Sequence, residues 1–143
     1  MSLNDRVKHP WFAPAGFNRA SLPSTVEVNT RLNRSNLDDL YDAKINPITK
    51  FPAPAGTTQA NPVIWGQKTL LAAPSALDRI NVRRLLINVR RKVRAEANKI
   101  LFEPNRESTL AQFSAAVNPI LADIQANQGV DRFKVVIDTS TTT

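Results

Sequence analysis

The chain has 143 residues, 42% of them hydrophobic and 22% charged. Those values are near globular averages, so they exclude wholesale disorder and a collagen-like fibre and fit a single domain. With no cysteine and one histidine, His9, disulfide staples, thiol catalysis, thiolate zinc sites and multi-histidine metal sites are excluded as well. The formal net charge is +7. Arg79 to Lys99 holds eight basic residues against one acid, Glu96, so this segment carries the whole net charge and the rest of the chain sums to neutral. Such a concentration points to an acidic partner: nucleic acid, anionic lipid or an acidic protein surface.

No apolar run approaches the ~20 residues a membrane span needs, and residues 1–10 carry no hydrophobic signal segment. A soluble chain, with no membrane partner, is expected. Ten prolines against four glycines favour stiff, extended connections.

In chain order, residues 1–34 read as an extended, proline-rich opening segment in which Trp11, Phe12 and Phe17 anchor to a core. Val26 and Val28 alternate with polar residues as a short strand would. Ser35-Asn36-Leu37-Asp38 has the form of a capping box and predicts a short helix over 36–43. The proline-rich run 51–56 cannot be helix, and Pro62-Val63-Ile64-Trp65-Gly66 reads as a buried strand. Ser75 to Asp78 can cap a helix or a helical turn. Val82, Leu85, Leu86, Val89, Val93, Ala97 and Ile100 recur at helical spacing within about 120° of arc, and Arg83, Arg84, Arg90, Arg91 and Arg94 fill the opposite side. Ile87 lies in the middle of that basic face, either as an ordinary exposed residue or as a sign that the face is covered. After Phe102-Glu103-Pro104-Asn105, a second helical pattern through Leu110, Phe113 and Val117 is expected to break or restart at Asn118-Pro119 and to stop at Gly129. Phe133 to Asp138 reads as a strand. Trp65, Phe102, Phe113 and the apolar stripes are expected in the core.

Catalytic chemistry finds little footing. Asp38 and Asp42 share a helix face but are explained by a solvated first turn. His9 has no triad motif beside it, and there is no phosphate loop, dinucleotide fingerprint or calcium loop. The expectation is no enzyme, no cofactor and no metal. For the basic helix, five arginines with one nearby acid repel one another unless something offsets the charge. An acidic protein partner, nucleic acid and plain solvation all stay open on the residues alone.

Several ordered stretches carry a resemblance. They are Pro10-Trp11-Phe12-Ala13-Pro14-Ala15-Gly16-Phe17-Asn18-Arg19, Ile45-Asn46-Pro47-Ile48, Val63-Ile64-Trp65-Gly66-Gln67-Lys68-Thr69-Leu70, the helix start Leu77 to Leu86, Phe102-Glu103-Pro104-Asn105, and Val135-Val136-Ile137-Asp138. Together they span residues 10–138, and the chain resembles the C-terminal domain of contractile bacteriophage tail sheath proteins. The resemblance implies a virion component, assembled in the host cytoplasm, that polymerises as stacked six-subunit rings around an inner tail tube. It further implies contact with baseplate and tail terminator proteins, and a contraction that drives the tube through the host envelope for DNA ejection. No cofactor and no direct nucleic acid contact are implied. By position and charge, Arg83, Arg84, Arg90, Arg91 and Arg94 match the helix that faces acidic groups on the tube. Phe133, Lys134, Val135, Val136, Ile137 and Asp138 match the terminal strand donated to a neighbour's sheet.

The fold expected is α+β in one domain, 1–143, with a core over 35–132 and a C-terminal strand and arm over 133–143. A small mixed sheet is built from the Val63 strand, the C-terminal strand and an N-terminal segment, and is covered by two long helical regions. The alternative function is a basic nucleic-acid-binding module.

Overall fold

A computed structural model describes residues 7–25, 27–52 and 61–137. In chain order it holds a short helix α1 (Phe17–Ala20), helix α2 (Arg34–Asp42), strands β1 (Ile48–Thr49) and β2 (Val63–Ile64), a 3-10 turn (Ala76–Asp78), helix α3 (Ile80–Ala97), a second 3-10 turn (Asn98–Ile100) and helix α4 (Glu107–Ala126). This is an α+β chain. It divides into two compact units, Met1–Arg84 and Leu85–Thr143, and among the described residues no helix is long and apolar enough to cross a membrane.

The first unit is organised on β2. Val63 and Ile64 pair antiparallel with Thr49 and Ile48, and Trp65 N donates to Pro47 O at 2.8 Å. On the other edge of β2 an isolated bridge joins Ser21 to Val63, flanked by bonds from Gly16 N to Ile64 O (3.0 Å) and from Leu22 N to Pro62 O (2.8 Å). The N-terminal segment therefore does join the sheet, and among the described residues the sheet is antiparallel where a mixed one was expected. Val63, Ala20, Trp11, Val7, Thr49 and Pro62 form the buried centre of this unit. Full burial of a side chain such as Val63 is worth about 2 kcal/mol. Phe17, expected as an anchor, is instead largely exposed and rests against Phe51 and Trp65 with ring centroids 5.4 Å away in each case.

Two local expectations shift. Helix α2 begins earlier than predicted because Asn33, not Ser35, is the cap: its Oδ1 accepts from Asn36 N (2.8 Å) while Asn36 Oδ1 accepts from Asn33 N (3.2 Å). Residues 27 and 28 form no strand, and Val26 lies outside the described residues, as do residues 53–60, which include most of the proline-rich run.

Asn46 fixes the turn after β2. Its side chain donates to Lys68 O (2.9 Å) and accepts from Lys68 N (2.8 Å), taking the place of a strand partner. Gly66 passes directly over it with φ +155, and a Cβ there would stand 2.6 Å from Asn46 Oδ1 and 3.1 Å from its Cα. Gly66→Ala is therefore expected to cost about 2 kcal/mol through strain and the broken amide pair; urea unfolding of the variant against the native chain measures it.

In the second unit α4 runs unbroken through Pro119, where a break was predicted. Proline deletes one intrahelical bond, yet Val117 and Ile124, on either side of it, are both buried, and tertiary burial outweighs the local defect. Asn118 does not cap a new helix; its side chain donates to Ser114 Oγ at 3.2 Å. The stop is a Schellman turn whose left-handed residue is Gln128 (φ 62) and not Gly129. Gly129 N donates to Ile124 O at 2.8 Å, and Gln128 N to Gln125 O at 3.0 Å.

The C-terminal strand is a correction. Phe133 to Ile137 pair with no strand among the described residues, and Asp138 lies outside them. Burial nonetheless alternates along the run: Phe133, Val135 and Ile137 are half-buried, Lys134 and Val136 exposed. That is the period of a β-strand, and a strand is formed only where an edge accepts it.

Candidate functional site

Helix α3 is held at its start by a ladder that the sequence does not announce. Lys68 and Arg79 form an antiparallel bridge, Thr69 N donates to Asp78 O, and Ile80 N to Gln67 O, each at 2.8 Å. One of the orphan N–H groups at the helix start is satisfied in this way. Ser75 caps the preceding 3-10 turn through Leu77 N.

Beside this ladder the charges are paired. Asp78 lies 3.2 Å from both Lys68 Nζ and Arg79 Nε. Arg79 also donates to the Tyr41 hydroxyl at 2.9 Å, and Lys68 Nζ sits 4.4 Å from the Tyr41 ring centroid. Hydrogen bonding from Lys68, and then from Arg79, holds the Tyr41 phenol below its ordinary value. The same phenol, and then Asp78, raises Lys68. Tyr41 is the single tyrosine of the chain, so absorbance titration reads it directly. Its folded pKa lies below the unfolded one, so phenolate is expected to appear at lower pH in the native protein than in urea. Arg79→Ala should move that midpoint back up. Sequence reasoning missed this cluster because its members are scattered over positions 41, 68, 78 and 79.

Farther along α3 the arginines stand apart from such pairing. The exposed side carries Arg83, Arg90, Arg91 and Arg94, with Arg84 half-buried. Among the described residues none of these five makes an ion pair or side-chain hydrogen bond, and two acids of the second unit are engaged by lysines. Glu96 binds Lys99 Nζ at 2.7 and 2.8 Å, and Asp123 stands 3.9 Å from Lys92 Nζ. Arg83 and Arg84 fall in the first unit, Arg90, Arg91 and Arg94 in the second. Of the apolar stripe only Leu85 is buried, at 8% exposure, while Leu86 is 44% exposed; on the basic face Ile87 is 66% exposed.

Apolar exposure extends beyond the helix. Leu70 (89%), Leu101 (60%) and Phe102 (98%) stand in solvent, and Trp65 is 39% exposed. Phe102 was expected in the core. It instead stands in solvent with a left-handed backbone, φ 73, at the turn after α3. Phe113 is half-buried. Five α3 arginines without an ion pair or side-chain hydrogen bond among the described residues, together with the exposed Leu70, Leu101 and Phe102, make a surface suited to being covered by other polypeptide.

No family model matches the chain. Curated relatives do. The tail sheath protein of Vibrio phage KVP40 is 37% identical over 137 residues, 96% of this chain. That of Enterobacteria phage T4 is 32% identical over 139 residues, 97% of the chain, and that of Salmonella phage ViI is 40% identical over 117 residues, 82% of the chain. The chain is related, over nearly its whole length, to the tail sheath proteins of bacteriophages. It spans about a fifth of the length of the first two relatives (20% of each) and 17% of the third.

Proposed function

We propose that this chain is the domain of a phage tail sheath protein that meets the inner tail tube and joins neighbouring sheath subunits. In this reading residues 1–143 act as one sheath domain, with an opening segment over 1–34, a core over 35–132 and an arm over 133–143. It assembles in the host cytoplasm into stacked six-subunit rings around the tube, bounded by the baseplate and the tail terminator. Contraction of that polymer drives the tube through the host envelope so that DNA can pass.

Arg83, Arg84, Arg90, Arg91 and Arg94 are the tube contacts, and Phe133 to Asp138 the strand given to a neighbour. One observation carries the reading: a chain related throughout to sheath proteins leaves five arginines on one helix without a counter-charge among the described residues. Ionic attachment suits a polymer that must release its tube, because such contacts attract at long range and are screened once separated. The test is electron microscopy of the purified protein mixed with tubes of the same phage. Rings or sheathed tubes are expected; bare tubes with dispersed protein would overturn the reading.

A further inference from the structure

The second unit's part of α3 presents more than charge. Ile87 precedes Arg90, Arg91 and Arg94 by three, four and seven positions, which places it on their side of the helix. Leu86, near the border of the apolar stripe, lies four positions before Arg90. Both aliphatic side chains are exposed, Ile87 at 66% and Leu86 at 44%, beside guanidinium groups that have no counter-ion among the described residues.

This combination separates two kinds of acidic partner. A phosphate backbone offers oxygen and negative charge but nothing for an aliphatic side chain, so binding to it rests on the arginines and falls steeply with salt. A protein surface can seat an aliphatic residue in a desolvated centre while carboxylates at the rim meet the arginines.

We propose that Ile87, supported by Leu86, is the apolar centre of the contact made by this face, and that its partner is a protein surface whose carboxylates surround an apolar patch. The claim rests on the sheath reading, in which the inner tube supplies that surface. It assigns Ile87 as a specificity residue: the arginines attract any polyanion, and Ile87 selects the one with an apolar seat. Because the apolar contact is unscreened, tube binding retains a salt-resistant component that duplex binding lacks.

Co-sedimentation of the full chain with tubes assembled from the tail tube protein of the same phage tests this, alongside a 30-base-pair duplex as the polyanion probe and circular dichroism to confirm helix content. Ile87→Ala is expected to weaken tube binding about tenfold and to remove its salt-resistant part, with duplex binding unchanged. Arg90→Ala/Arg91→Ala should weaken both. Unchanged tube binding by Ile87→Ala overturns the proposal and leaves the sheath reading standing. Equal losses on tube and duplex also overturn it, since they reveal a general effect on the helix. Failure of the native chain to bind tubes at all, with duplex binding intact, overturns the tube-facing reading and this proposal together.

Discussion

Reversing Arg90 and Arg91 to glutamate is expected to abolish sheath assembly on inner tubes while leaving the chain folded. Both side chains are exposed, and neither has an ion pair or side-chain hydrogen bond among the described residues, so their loss breaks no such bond there. Surface substitutions of this kind usually change stability by about 0.5 kcal/mol or less. In α3 the change also relieves repulsion between neighbouring arginines. At the proposed interface the same two substitutions move four units of charge and set carboxylate against carboxylate. Like charges brought together in an interface cost several kcal/mol, and in the proposed six-subunit rings that loss would recur at every subunit. Electron microscopy of variant and tube mixtures gives the readout, with circular dichroism and thermal unfolding as the fold control. A tube variant whose facing carboxylates are replaced by lysine should restore assembly. Sheathed tubes of ordinary length from the arginine variant would remove this face from the tube contact.

The sequence made α3 legible because a periodicity of 3.6 sustained over five turns needs no knowledge of the rest of the fold. The basic face was legible for the same reason, and the α+β class came from a helix-rich pattern interrupted by β-prone runs. Other features depend on partners distant in sequence. Strands of two residues such as β1 have no period to detect, and Ile48–Thr49 finds Val63–Ile64 only through the surrounding bonds of Gly16, Pro47 and Asn46. Asn33 was missed as a cap because its reciprocal partner is another asparagine, outside the usual serine-glutamate form. Pro119 misled because a local breaker was weighed without the burial of Val117 and Ile124. Phe102 and Trp65 show a deeper limit of pattern reading. Hydropathy identifies surface that must be covered, but it does not say whether the cover comes from the same chain. In a protein that polymerises, those two possibilities diverge at the residues that carry function.

Deleting residues 133–143 is expected to leave a folded chain that no longer polymerises. The buried residues of the second unit, Leu85, Val117 and Ile124, all lie outside the deleted run, and the Schellman turn that closes α4 is complete at Gly129. The run contributes only the half-buried Phe133, Val135 and Ile137 among its described residues, so a modest fall in stability is the expected intramolecular effect. Its intermolecular effect is larger. Alternating burial with no ladder partner is the condition of a donor strand, whose main-chain groups gain their bonds only on a neighbour's sheet edge. In the proposed sheath, several such bonds formed together would keep subunits joined while rigid bodies move, because they hold backbone to backbone irrespective of side-chain geometry. Val136→Pro provides the finer test: the side chain is exposed, and proline removes one N–H from the ladder with little change in mass. On the proposed function, analytical ultracentrifugation should find the native chain polymeric, the deletion monomeric and the proline variant shifted toward monomer at the same concentration. Polymers of native length from the deletion variant would show that the subunits are joined by another element.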